Sequence, residues 1–126
     1  MSLEQSKILV VDDDPFVRDL LGFVLDSEGY AIETAEDGME GLKKYSSDAD
    51  INLVISDMNM PEMNGLEMLE KIRSDKKNIP FILLSGDDDI AVGNKIFDEI
   101  KTFCLIKDEN IQDTIGSLVN KILTNS

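Results

Sequence analysis

The stretch ILVVDDDP, residues 8–15, places four apolar residues directly before three consecutive aspartates and a proline. A short, uniformly apolar run is typical of a parallel strand that is covered on both faces. Two carboxylates about 4 Å apart repel by roughly 4 kcal/mol at the effective dielectric of a protein surface. The cluster of Asp12, Asp13 and Asp14 at the end of a buried strand therefore indicates that a cation binds there.

The composition excludes several classes of protein. The chain has 126 residues, of which 42% are hydrophobic and 30% are charged, and this is typical of one globular domain. Lys and Arg number 12 against 26 Asp and Glu, and the resulting net charge of -14 predicts no direct nucleic-acid binding. The single Cys104 excludes an internal disulfide, and no apolar run is long enough to span a membrane. We therefore expect a cytoplasmic protein without a membrane partner.

Apolar runs with strand character recur along the chain. Four are largely apolar and predict central strands, and they are residues 8–11, 51–55 with Asn52 inside it, 81–84 and 103–106. Residues 30–35 instead place Glu33 among apolar neighbours, which favours an edge strand, although a half-exposed loop would have a similar pattern.

Helix signals lie between these runs. The first predicted helix begins at Pro15, with Asp14 as its cap, and ends before Gly29. Two capping boxes predict further helices, and they are Asp37 with Glu40 around Gly38 and Asn64 with Glu67 around Gly65. One apolar face of a final helix is predicted from Ile111, Ile115, Leu118 and Ile122. Five strands alternating with five helices predict a doubly wound parallel sheet of the α/β class in one domain.

Polar residues follow four of the predicted strands. They are Asp12, Asp13 and Asp14 after the first, Asp57 after the third, Ser85 after the fourth and Lys107 after the fifth. Because ligands of open parallel sheets bind beyond the carboxyl ends of the strands, we expect these residues to meet. Each also has an ordinary structural explanation, such as a helix cap for Asp14 or a turn hydroxyl for Ser85. Crowded carboxylates without histidine favour a hard ion with oxygen ligands, namely Mg²⁺ with Mn²⁺ as a substitute.

An aspartate beside Mg²⁺, a serine and a lysine is suited to accept a phosphoryl group. A carboxylate can act as the nucleophile, while Mg²⁺ and Lys107 would neutralise the charge on the phosphoryl oxygens. Ser85 could donate a hydrogen bond to a third oxygen. The chain contains no histidine that would activate Ser85 or Cys104, so Asp57 is the apparent nucleophile.

Four motifs, taken in order, resemble the receiver domain of two-component response regulators over about residues 7–123. They are ILVVDDDP, LVISDMNMPEMNG, FILLSG and LIK. The resemblance implies a single receiver domain over residues 1–126 with a CheY-like (βα)5 flavodoxin-like fold and strand order 2-1-3-4-5. It also implies a signalling domain that dephosphorylates itself and is not an enzyme in its own right.

The resemblance further implies a role for each site residue. Asp57 would accept phosphate from a sensor histidine kinase, a histidine phosphotransfer protein or a small phosphodonor. Mg²⁺ would be held by Asp13, Asp57 and the backbone carbonyl of Asn59, with Asp12 acting mainly through water. Ser85 and Lys107 would contact the phosphoryl group. Asn59 and Asp87 would tune the rate at which it is hydrolysed. The face formed by the predicted fourth helix, the fifth strand and the fifth helix would then control an output protein or effector domain.

Two residues depart from the family pattern. Asp108 follows Lys107 where proline is usual, so we expect a trans peptide there, since a cis bond without proline costs about 2.5–4 kcal/mol. Cys104 stands where the family often has an aromatic residue that takes part in its switch. These departures leave open a receiver-like binding module that does not signal through phosphate.

A phosphatase of the haloacid dehalogenase type is the enzyme alternative. Such enzymes resemble this chain in their order of aspartates, hydroxyl and lysine, here Asp12, Asp14, Ser85 and Lys107. Phe16 opposes this interpretation, because that family expects Thr or Val at the corresponding place.

Overall fold

The computed structural model describes residues 6–60, 62–74, 78–86 and 101–124. Within these ranges five parallel strands form one sheet in the order β2-β1-β3-β4-β5. The strands are β1 (Lys7–Val11), β2 (Ala31–Ala35), β3 (Ile51–Asp57), β4 (Phe81–Ser85) and β5 (Thr102–Ile106). The helices are α1 (Pro15–Ser27), α2 (Gly38–Ser47), α3 (Gly65–Ser74) and the C-terminal helix (Ile111–Thr124). The predicted fold and strand order are confirmed, while the predicted helix between β4 and β5 lies outside the described residues.

Helices cover both faces of the sheet, because alternate strand residues point to opposite sides. On one face, α2 and α3 pack over a buried cluster that includes Leu9, Val11, Val54, Phe81 and Leu83. On the other face, α1 and the C-terminal helix pack over Ile8, Val10, Leu53, Ile55, Ile82 and Leu84. Burial of each large apolar side chain stabilises the fold by about 1.5–3 kcal/mol. The central strands are therefore rigid supports for the residues at their carboxyl ends.

The predicted helix starts are confirmed, and local hydrogen bonds explain them. The Asp14 carboxylate accepts a hydrogen bond from the N–H of Phe16 at 2.9 Å and so caps α1. Asn64 and Glu67 form a reciprocal capping box before α3, in which each side chain accepts from the other residue's N–H at 2.9 Å. The end of α1 is also as predicted, because Gly29 has a φ of 100° in the left-handed region that favours glycine.

The strand type predicted from the residue pattern is confirmed at one edge of the sheet and wrong at the other. β2 lies at one edge as predicted, with Glu33 half-buried beside Lys44. The interpretation of residues 103–106 as a central strand from their apolar run is wrong, because β5 lies at the other edge, where the strand order implied by the family resemblance puts it. A uniformly apolar run indicates that a strand's faces are protected, whereas backbone pairing decides whether the strand is central.

The C-terminal helix buries a different line of residues from the predicted one. Ile111 and Ile115 are buried as expected, but the buried line continues through Val119 and Leu123. The predicted residues Leu118 and Ile122 flank this line and are half-buried against the same core. The helix therefore presents a wider apolar face to the sheet than four positions indicated.

Two further expectations concern the backbone and the membrane. The described residues contain no cis peptide bond, so the trans bond expected between Lys107 and Asp108 is confirmed. None of the described helices combines the length and the apolar character that a membrane crossing requires.

We predict that Gly65→Ala lowers the free energy of unfolding by about 1–3 kcal/mol, because the added methyl group overpacks the start of α3. Its Cβ would lie 2.5 Å from the carbonyl oxygen of Asp57 and 2.7 Å from Leu83 Cδ2. Urea denaturation measures the change. Gly116→Ala is the control, because its Cβ would come no nearer than 3.9 Å to Val24. This variant should have a free energy of unfolding up to about 1 kcal/mol higher than the parent, because alanine favours the helix more than glycine does. Equal stability of the two variants would contradict the prediction.

Candidate functional site

Four strand ends bring the predicted site residues to one edge of the sheet. Asp12 directly follows β1, Asp57 ends β3, Ser85 ends β4 and Lys107 directly follows β5. The parallel pairing of the strands keeps these ends level, and the N–H of Lys107 donates to the carbonyl oxygen of Ser85 at 2.8 Å. These residues thus lie at the carboxyl ends of the strands, as expected.

Three carboxylates form the acidic part of the site. One oxygen atom from each of Asp12, Asp13 and Asp57 lies within 4.8 Å of the other two. Asp12 is fully buried and Asp57 is 6% exposed, whereas Asp13 is exposed to solvent. A set of carboxylate oxygens that is open to water on one side suits a hard divalent cation that keeps part of its hydration shell.

Among the described residues, Lys107 forms ion pairs with the buried carboxylates of the site. Its Nζ lies 3.2 Å from Asp12 Oδ2 and 3.3 Å from Asp57 Oδ2, so one ammonium bridges the two buried carboxylates. Burial lowers the pKa of Lys107, but the attraction of Asp12 and Asp57 outweighs it and the pKa is raised overall. Lys107 therefore stays protonated at neutral pH.

The two buried carboxylates remain poorly compensated in spite of this lysine. Burial raises the pKa of Asp12, and the Asp14 N–H and Lys107 only partly oppose that rise. Burial also raises the pKa of Asp57, and the negative charge of Asp12 adds to the effect. A bound divalent cation would reverse this penalty, because it favours the charged form of both groups.

Asn59 and Ser85 add uncharged polar groups to the site. The N–H of Asn59 donates to Asp57 Oδ1 at 3.4 Å, so the loop after β3 turns back over Asp57. Ser85 is fully buried, and its Oγ lies 3.5 Å from Cys104 Sγ on the neighbouring strand. The predicted tuning residue Asp87 lies outside the described residues.

Arg18 is a contact that the sequence did not predict. Its Nη1 donates to the backbone carbonyl oxygen of Asp12 at 2.7 Å. A signal existed, because residue 18 lies four positions after Asp14 and so on the same side of α1 as the acidic loop. Nothing in the sequence distinguishes this contact from an ordinary surface ion pair.

Comparison with known proteins gives a consistent picture. The family model of the response regulator receiver domain matches residues 8–118. The chain is 41% identical over 90 residues to the transcriptional regulatory protein GlrR of Escherichia coli, a match that covers 71% of this chain and 20% of that protein. It is 43% identical over 84 residues to the chemotaxis protein CheY1 of Helicobacter pylori, covering 64% of this chain and 68% of that one. The match thus spans about a fifth of GlrR and about two thirds of CheY1.

A solved structure extends the likeness to three dimensions. The response regulator TrrA of Thermotoga maritima, in complex with Mg²⁺ and BeF, superposes with a TM-score of 0.81 and 38% identity. The match covers 93% of this chain and 98% of TrrA.

We predict that Lys107→Met strengthens Mg²⁺ binding by about tenfold, equivalent to ~1.4 kcal/mol, because it removes a cation that competes for two of the carboxylates. Isothermal titration calorimetry at fixed ionic strength measures the dissociation constant. Lys7→Met is the control, since Lys7 pairs with Asp48 at 2.7 Å at the opposite end of β1. Weaker Mg²⁺ binding by Lys107→Met than by the parent would contradict the prediction.

Proposed function

The chain belongs to the family of response regulator receiver domains, and from this premise we propose that Asp57 accepts a phosphoryl group from a phosphohistidine in an Mg²⁺-dependent way. Receiver domains are signalling modules of two-component systems. The observation that carries the proposal is the cluster of Asp12, Asp13 and Asp57, with Lys107 bridging the two buried members.

Asp13, Asp57 and the backbone carbonyl of Asn59 would hold the Mg²⁺ ion directly. Asp12 would act mainly through water, because its Oδ1 already accepts from the N–H of Asp14 at 2.9 Å and its Oδ2 pairs with Lys107. The ion would neutralise negative charge that otherwise repels an anionic donor. The complex of TrrA with Mg²⁺ and BeF supports this part of the proposal.

The proposed reaction transfers one phosphoryl group between two side chains. An oxygen of Asp57 forms a bond to phosphorus while the bond from phosphorus to the donor's imidazole nitrogen breaks, and the bonding electrons stay on that nitrogen. Lys107, 3.3 Å from Asp57 Oδ2, is close enough to move from the carboxylate to a phosphoryl oxygen. The Ser85 hydroxyl at the end of β4 would donate to another phosphoryl oxygen.

Water would later hydrolyse the acyl phosphate and regenerate the carboxylate. We propose that Asn59 and Asp87 tune this autodephosphorylation, since amide and carboxylate side chains can each orient a water by hydrogen bonds. Asn59 lies in the loop that turns back over Asp57 and is exposed to solvent, and this position supports its part in the proposal.

The partners would be a sensor histidine kinase or a histidine phosphotransfer protein on one side, and an output protein or effector domain on the other. The names of GlrR and CheY1 support the output side, because one is a transcriptional regulatory protein and the other a chemotaxis protein. The match to the family model over residues 8–118 supports a single receiver domain over residues 1–126 with a core of about residues 7–123.

Asp57→Asn should abolish labelling of the protein by a phosphorylated histidine kinase, because an amide is not a nucleophile for phosphorus. A panel of radiolabelled kinases, incubated with the parent and the variant with and without Mg²⁺, measures transfer. Asp14→Asn is the matched control, since asparagine preserves the helix cap and the residue lies in the same acidic run. This control should be labelled as well as the parent.

Other outcomes of this experiment identify the rival functions. A phosphoryl group found on Asp12 in the parent would favour a phosphatase of the haloacid dehalogenase type. Folded parent that binds Mg²⁺ but accepts no label from kinases or small phosphodonors would favour a binding module that does not use phosphate.

The contact between Ser85 and Cys104 generates a prediction about the response to phosphate. A thiol has no ring that could swing inward when Ser85 moves, and Phe103 points to the opposite face of β5. We expect the loop that begins at Gly86 to respond most to a phosphate mimic, with a weaker response in β5. Backbone NMR shifts with and without Mg²⁺ and BeF measure this, and Cys104→Tyr should enlarge the β5 response. Large shifts centred on residues 102–106 in the parent would contradict the prediction.

A further inference from the structure

Asp12 is held at each of its polar groups. Its N–H donates to the carbonyl oxygen of Ala35 at 3.1 Å, and its Oδ1 accepts from the N–H of Asp14 at 2.9 Å. Its Oδ2 accepts from Lys107 Nζ at 3.2 Å, and its backbone carbonyl accepts from Arg18 Nη1 at 2.7 Å. The hydrogen bond from Arg18 is the one that constrains the peptide group between Asp12 and Asp13.

That peptide group determines where Asp13 lies. Asp13 is exposed, so packing does little to fix it, yet its carboxylate lies within 4.8 Å of the oxygens of Asp12 and Asp57. Rotation of the peptide plane between Asp12 and Asp13 would change the φ angle of Asp13 and with it the direction of the Asp13 side chain. A charged donor forms stronger hydrogen bonds than a neutral one, and the guanidinium of Arg18 is such a donor.

Among the described residues, Arg18 and Lys107 both contact Asp12, and they do so differently. Lys107 pairs with carboxylate oxygens of Asp12 and Asp57, which are two of the three carboxylates of the site. Arg18 binds a backbone carbonyl instead and leaves the carboxylate oxygens available.

We propose that Arg18 is a positioning residue for the divalent-cation site, which holds the peptide group between Asp12 and Asp13 so that the Asp13 carboxylate faces Asp57. This inference rests on the proposed function, because it assumes that the three aspartates bind Mg²⁺. Hydrogen-bonding partners around metal ligands typically change affinity by 10- to 100-fold when they are removed.

The direction of the change in Mg²⁺ affinity distinguishes a positioning role of Arg18 from a simple effect of its charge. Removal of a positive charge near a cation site strengthens cation binding by Coulomb's law. Loss of the hydrogen bond to the Asp12 carbonyl should instead weaken binding, because Asp13 would then have to be ordered by the metal itself. Weaker binding by a neutral variant at position 18 therefore cannot result from the lost charge.

The chain offers a closely matched control in Arg73. Its Nη1 donates to the carbonyl oxygen of Ile79 at 2.8 Å, again six residues away, and its Nη2 contacts Thr102 Oγ1 at 3.0 Å at the amino-terminal end of β5. Arg73→Met thus removes the same type of hydrogen bond at the end of the sheet opposite the aspartates.

The experiment compares the parent with Arg18→Met, Arg18→Lys and Arg73→Met. Isothermal titration calorimetry with MgCl₂ gives the dissociation constant, and urea denaturation without metal gives the stability of each protein. We expect Arg18→Met to raise the Kd by about tenfold, with Arg18→Lys in between, and Arg73→Met to stay within about twofold of the parent. Without Mg²⁺, the backbone NMR shifts of Asp13 and Asp14 should move in Arg18→Met and not in Arg73→Met.

Three results would overturn the inference. They are an unchanged or lower Kd in Arg18→Met, an equal rise in Arg73→Met, and a parent that binds no Mg²⁺ at all. Should Arg18→Met fail to fold, Arg18→Lys decides, since it keeps the charge and loses the planar donor. Normal labelling of Asp57 together with an unchanged Kd in Arg18→Met would reject the role of Arg18 and leave the proposed function intact.

Discussion

The bridge from Lys107 to Asp12 and Asp57 is the interaction on which the arrangement of the site depends. Lys107 follows the edge strand β5, whereas Asp12 follows the central strand β1, and 95 residues separate them along the chain. Breaking one partner of a buried ion pair is costly, because the remaining charge is left without compensation. Strands β1, β3, β4 and β5 must therefore be paired before Lys107 can compensate the two carboxylates in the interior. In this way the charges of the site depend on the completed sheet.

Local signals explain why much of the fold can be predicted from the sequence. The caps at Asp14 and Asn64 act over two or three residues, and the sequence alone contains both partners of each hydrogen bond. The carboxyl-edge rule then places Asp57 and Lys107 together without knowledge of any distance. Family resemblance supplied the strand order and the individual roles.

Features decided by tertiary contacts could not be predicted in the same way. Whether β5 is an edge or a central strand depends on backbone pairing with other strands, which an apolar run does not encode. The buried line through Val119 and Leu123 depends on how the C-terminal helix is rotated over the sheet. The hydrogen bond from Arg18 depends on the path of a long side chain, and long side chains have many rotamers of similar energy.

Packing extends the rigidity of the sheet into the loop that carries Asn59. Met58 and Met63 are buried in the core beside α3, so these two methionines of the loop serve packing. The loop is also tied at its ends, because Met58 donates to the carbonyl oxygen of Leu84 at 2.8 Å and accepts from the N–H of Gly65 at 3.1 Å. Unbranched methionine side chains adapt to irregular spaces, so they can fill this corner without straining the backbone. The proposed carbonyl ligand at Asn59 would consequently be presented by a loop held at both ends, and this preorganisation would reduce the ordering that a bound metal ion has to impose.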